Sequence, residues 1–300
     1  MATKQRSRSR RSGSNRDRTP RYVAPVLDPT WQSPYVPSSA ERHAHHRAVR
    51  SFALRRKLPQ SIIVGVVALA AVAMVTVSIW LPVVGVAVAL LYAWDVRQSL
   101  TRVERSGRTL GASLRASFAP GGSDRDRERL STIVDRLAAT FGVTSVSSFV
   151  VEDAGYNAAL VPDGGGFAML VTSAVARDFE LIELEGVVAH CLARQRLGIL
   201  ERQAVASALS AGDEARRTLA GTGLAYRADE VAAATIRYPL GLAAALHKCA
   251  EHAPPTGSYF ATPAYAGVRW VWFDLGSDRT ASDLSDLDDA TLRARALEEW

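Results

Sequence analysis

Within residues 183–197 the sequence sets an imidazole, His190, beside a thiol, Cys191, with the guanidinium of Arg194 one helical turn beyond His190. An imidazole can ligate a metal, and a thiolate can serve as ligand or nucleophile. The spacing limits both chemistries. Leu184, Val187, Val188 and Cys191 recur at helical spacing, so the stretch reads as an amphipathic helix with Cys191 on its apolar stripe. Consecutive helical residues diverge by about 100° and do not face each other, so the adjacent His190 and Cys191 are not a nucleophile–base dyad. A free cysteine on such a stripe reads as a small buried hydrophobe. A catalytic zinc needs three protein ligands, an open position for water and a base near that water, and one histidine does not supply them.

Patterning gives the elements that must position this helix. Leu130, Ile133, Val134, Leu137 and Phe141 mark a preceding helix, with Ser123 and Asp126 placed to cap it. Residues 145–152 alternate and are β-branched, which predicts a strand built on Val146, Phe149, Val150 and Val151. Pro162 and Asp163 with the glycines at 164–166 predict a turn, and 167–172 a second strand. The two strands are expected to pair as a hairpin-like ribbon beside the His190 helix. The triple glycine lacks a following Lys-Ser/Thr and lies between strands, so it is no phosphate loop. Helical patterns occupy 179–197, 203–219, 225–234 and 240–250. An aromatic patch at 270–273 precedes an acidic stretch (Asp283, Asp286, Asp288, Asp289) and a final helix ending at Trp300. The fold class is α+β, mostly helical with a small β-sheet.

The 300 residues are 48% hydrophobic, enough for a core in one or two domains. Residues 1–57 hold fourteen Lys/Arg against Asp17, Asp28 and Glu41, a balance of +11, so the remainder sums to −5 within the net +6. The basic character belongs to the tail. This 1–57 segment is Arg/Ser-rich and then Pro-rich (Pro25, Pro29, Pro34, Pro37), which predicts a disordered cytoplasmic tail. No apolar run follows the first arginines closely enough for a cleaved signal peptide. The tail has no aromatic stacking platform within its basic run, and nucleic acid is not an expected partner. Two cysteines give no disulfide framework and fit a reducing compartment.

Residues 62–94 carry no charge. That is too long for one span of about 30 Å and long enough for two short ones, with Pro82 favouring a turn near the middle. Residues 58–96 are therefore expected to form a transmembrane hairpin. Arg55, Arg56 and Lys57 on one side and Arg97, Arg102, Arg105 and Arg108 on the other would hold both ends in the cytoplasm of a multi-pass cell-membrane protein. Residues 97–122 read as a basic amphipathic juxtamembrane segment, its arginines near anionic membrane lipids, and a linker. The break at 119–124 is the expected boundary of a domain at 123–300.

The pattern Glu-Leu-x-x-Val-Val-Ala-His-x-Leu-Ala, ending at Ala193, resembles the zinc helix of the HtpX-type membrane metallopeptidases, and the likeness runs from the hairpin to the C-terminus in the same order. The family's helix–strand–Asn-Ala–strand run looks matched by 130–141, 149–152, Asn157-Ala158-Ala159 and 169–172. Its zinc helix reads His-Glu-x-x-His, and a later Glu-(Tyr/Phe)-x-Ala-Asp supplies a third ligand and a supporting acid. His190 stands at the first ligand, Cys191 at the catalytic Glu and Arg194 at the second ligand. In Ala225-Tyr226-Arg227-Ala228-Asp229 the Tyr, Ala and Asp agree, but Ala225 replaces the third ligand. The family's His-Pro-Pro before the closing helix is missing, and the charges across 195–224 leave no room for a further span.

The resemblance implies a zincin-like domain and a zinc cofactor whose ligands are largely lost here. No catalytic residue and no cofactor are expected, and His190 and Asp229 are a remnant of the metal site. Arg194 is expected to fill the vacated metal space as a fixed cation, paired with Asp229 or a neighbour such as Glu230. The implied function is that of a membrane-anchored, catalytically inactive homologue, a scaffold or regulator in membrane-protein quality control or envelope processes with an unidentified protein partner. Two alternatives stand beside it: an active membrane-bound zinc endopeptidase with a non-standard ligand set, and a membrane-tethered binder of anionic lipid or nucleic acid through the Arg/Ser tail.

Overall fold

Three strands divide the domain into two cores. The structure, a computed structural model, describes residues 39–73, 80–208, 220–221, 223–276 and 289–300. The Arg/Ser-rich and Pro-rich segments before residue 39, the middle of the uncharged run, the end of the helix expected over 203–219 and most of the acidic stretch lie outside the described residues. In chain order the helices are α1 (Ser39–Ala73), α2 (Trp80–Arg108), α3 (Leu110–Ala116), α4 (Asp124–Phe141), α5 (Ser173–Asp178), α6 (Leu181–Arg196), α7 (Ile199–Ala208), α8 (Leu224–Ile236), α9 (Pro239–Glu251), α10 (Pro263–Val268) and α11 (Ala290–Glu298). The strands are β1 (Val146–Val151), β2 (Ala158–Asp163) and β3 (Gly166–Thr172). The chain is α+β.

The strand order is β1-β3-β2, with β1 parallel and β2 antiparallel to β3. The expected ribbon is thus corrected: β1 and β3 run side by side, and the hairpin is β2–β3, closed at Asp163–Gly166 with Gly164 in the left-handed region (φ 61°). Strand alternation sorts the side chains. Val150, Ala158, Leu160, Met169 and Val171 face one core with α4, α6, α8 and α9. Val151, Ala159, Val161, Ala168 and Leu170 face a second core with α3, Phe260, Tyr265 and Trp272. Pro162 is tolerated because β2 is an edge strand.

Local chemistry fixes the helix ends. The Ser123 hydroxyl accepts from the Asp126 N–H at 3.2 Å while the Asp126 carboxylate accepts from the Ser123 N–H at 2.9 Å, and Gly142 at φ 66° closes α4. The 119–124 break is not a linker. The Gly121 N–H donates to Val150 O and the Glu152 N–H to Ala119 O, so this segment lies along the free edge of β1. Leu110 and Leu114 of α3 are buried against the sheet, which moves the start of the domain back to α3.

The N-terminal helices correct two further expectations. Residues 39–57 are helical within α1, so the disordered tail expected over 1–57 does not reach Lys57. α1 and α2 pack antiparallel: Lys57 pairs with Asp95 at 2.8 Å, and the Ser61 and Tyr92 hydroxyls hydrogen-bond at 2.9 Å. Among the described residues, however, no helix is long and apolar enough to cross a membrane. Within the described residues the uncharged part of α1, Leu58 to Ala73, rises about 24 Å and that of α2, Trp80 to Trp94, about 22 Å, both short of the roughly 30 Å of a bilayer core. The transmembrane hairpin and the multi-pass, cytoplasm-facing topology built on it are withdrawn.

Candidate functional site

Helix α6 carries the site. Its first turn is tied by Glu183, whose carboxylate accepts from the Glu180 N–H at 2.7 Å and from Lys248 of α9 at 2.6 Å. The two helices then approach at glycines: a Cβ on Gly186 would lie 2.8 Å from Leu242 Cα, and one on Gly241 2.8 Å from Ile182 O. α8 packs on the same helix and brings Asp229 to His190.

At the centre His190 Nδ1 and Asp229 Oδ1 are 2.6 Å apart, with both side chains buried. The carboxylate accepts, so Nδ1 carries the proton and Nε2 holds the lone pair; Nε2 is buried without a hydrogen-bond partner. Burial pushes the His190 pKa down to about 4, partly opposed by Asp229, with Arg293 and Arg194 pushing the same way as burial. The imidazole is neutral. Burial alone would raise the Asp229 carboxyl, but Arg293 and His190 outweigh it and hold it below its usual value. The Phe273 ring packs edge-on against His190, centroids 5.0 Å apart.

The guanidinium on Asp229 belongs to Arg293 of α11. Its Nε donates to Oδ2 at 2.6 Å and its Nη2 to Oδ1 at 2.9 Å, while Nη1 donates to Phe273 O at 3.1 Å. The expected Arg194–Asp229 pair is corrected accordingly. Arg194 turns away, to Gln203 of α7 (2.9 Å from Nε) and to the carbonyls of Trp270, Val271 (2.8 Å) and Trp272 (3.0 Å). Three carbonyls lie at the end of the 3-10 turn Arg269–Val271, and a planar five-donor fork reaches them where a single ammonium would not.

The remaining expected positions are closed. Cys191 is fully buried, and burial pushes its thiol up to about 12, so it is neither thiolate ligand nor nucleophile. Ala225, buried one turn before Asp229, has no donor atom. Among the described residues no three His, Cys, Asp or Glu side chains come together as metal ligands. The His190 Nε2 lone pair is a single ligand facing a neighbourhood with two buried guanidiniums, and these residues do not fit a zinc ion.

The sequence therefore brings His190 and Asp229 together as expected, places Arg194 elsewhere, and hides Arg293. A signal for Arg293 exists: Ala290, Arg293, Ala294 and Leu297 occupy one helical stripe, an arginine where an apolar residue belongs. No protein-family model matches the chain, and no curated protein matches it.

Proposed function

We propose that this chain is a relative of the HtpX-type metallopeptidases that no longer hydrolyses peptides and acts by binding. The observation that supports it is the Arg293–Asp229–His190 cluster, in which a protein cation lies on the acid that, in the family the chain resembles, supports the first zinc histidine. Around it, the base position is a buried thiol, the second-ligand position a guanidinium bonded elsewhere and the third an alanine. Hydrolysis by the family route needs water on a metal, and these positions provide neither the ligands nor the base.

Metal analysis and proteolysis of one purified sample test the proposal. The expected result is zinc far below one ion per chain and no chelator-sensitive cleavage of unfolded casein. Stoichiometric zinc together with chelator-sensitive cleavage would overturn it and establish a working enzyme with an unfamiliar ligand set.

A further inference from the structure

A cavity of about 440 Å3 opens beside the start of β2, between the end of α9 and the segment running from Phe260 to Gly276. None of His190, Cys191, Arg194, Ala225 and Asp229 lines it. Its walls include the rings of Tyr156, Phe260 and Tyr265 and the side chain of Leu275. Much of its polar lining is already bonded within the protein. Asn157 Nδ2 donates to Asp274 O at 2.9 Å, Asn157 Oδ1 accepts from the Asp274 N–H at 3.0 Å, and the Tyr265 hydroxyl donates to Asp274 O at 2.6 Å. The His252 ring stacks on Tyr156 at 4.1 Å.

Arg269 is different. It lines the cavity at 7% exposure, its Nε is buried without a hydrogen-bond partner, and its guanidinium lies 5.1 Å from the Trp270 ring centroid. Among the described residues it has no ion-pair partner. An arginine this buried is normally paired, because its desolvation is otherwise uncompensated. Its flat fork matches a carboxylate through two parallel hydrogen bonds. The volume lies in the range of small-molecule sites, and the rings suit an apolar body. Asp274 also lines the cavity, and burial pushes its carboxyl up, which favours the neutral form and lessens its repulsion of a single carboxylate while still opposing a doubly charged anion.

We propose that this cavity binds a monocarboxylic acid with an apolar or aromatic body, its carboxylate forked on Arg269 and its body held among Tyr156, Phe260 and Tyr265. The same chemistry is offered by a free small acid and by the C-terminal residue of a peptide. The site is independent of the His190 cluster and of the loss of hydrolysis.

Calorimetric titration of the full-length protein with four probes tests it: 3-phenylpropionate, 3-phenylpropionamide, and the peptide alanyl-alanyl-phenylalanine as free acid and as C-terminal amide. Saturable binding of at least one acid is expected, weaker by tenfold or more for its amide. Binding of 3-phenylpropionate alone assigns a free acid, and binding of the peptide acid assigns a chain terminus. Arg269→Gln should abolish the preference for acid over amide with its melting temperature retained. Ala266 is exposed at the lining, so Ala266→Trp should occlude the cavity without disturbing the core, which keeps the test decisive where Arg269→Gln fails to fold. Equal binding of acid and amide, undiminished binding by folded Arg269→Gln or by Ala266→Trp, or no saturable binding of either acid would overturn the proposal.

Discussion

The Arg293 guanidinium holds Asp229 by both carboxylate oxygens, and neither side chain reaches solvent. The pair lies on helices α11 and α8, sixty-four residues apart in the chain. Its geometry is the bidentate fork that makes arginine, not lysine, suited to a buried carboxylate.

Removing one partner strands the other. Arg293→Met should destabilise the protein by roughly 3–5 kcal/mol, because Asp229 is left as an uncompensated buried charge. Adding Asp229→Asn to that variant should recover part of the loss. Urea denaturation of the two variants measures it, and a double variant no more stable than Arg293→Met would show that the charge is not the cause.

The cluster also sets an acid limit. The folded-state pKa of His190, about 4, lies below the unfolded value near 6.5, so the unfolded chain binds the extra proton first as pH falls. Stability from this group is complete above pH 6.5 and declines towards pH 4, by about 3 kcal/mol in total. Asp229, held low in the fold, acts in the same direction: its contribution is present above the unfolded carboxylate pKa and is lost as pH falls through the folded one. Against wild type, His190→Asn should show a flatter loss of unfolding free energy between pH 6.5 and 4.

Arg194 should behave as a staple for the aromatic segment. Arg194→Met leaves the Val271 and Trp272 carbonyls without this donor in a buried setting, at about 1–3 kcal/mol for each group left unsatisfied. Amide hydrogen exchange should speed up at Trp272 and Phe273 more than at strand β3. Uniform acceleration across both would contradict the local role.

Two glycines should respond oppositely to alanine. At Gly186 the added methyl meets the Leu242 backbone at 2.8 Å, which costs roughly 1–3 kcal/mol of overpacking. At Gly65, inside α1, nothing lies within 4 Å, and Gly65→Ala should gain about 0.5–1 kcal/mol from helix propensity. Thermal melts of the pair give the sign of each change.

The helices around the site were legible because their apolar residues keep a clean period: Leu130 to Phe141 and Leu184 to Cys191 sit where the pattern puts them. The capping pair Ser123–Asp126 was equally readable. Strand β2 was not, because residues 158–161 are buried on both faces and show no alternation. Arg293 escaped since its partner lies on another helix, and a lone arginine normally reads as solvated. The uncharged run at 62–94 misled for another reason. Hydropathy counts residues, whereas a crossing needs a helix both long and apolar enough, and among the described residues there is none.

The chain order of the cluster has a consequence for biosynthesis. His190 and Asp229 emerge well before Arg293, and the edge contact from the Phe273 N–H to Ala158 O also waits on late residues. Until Arg293 is in place, burying Asp229 between α6 and α8 leaves the carboxylate without its bidentate cation. Docking of α11 brings the cation to the carboxylate, so closure of this centre waits on residues late in the chain.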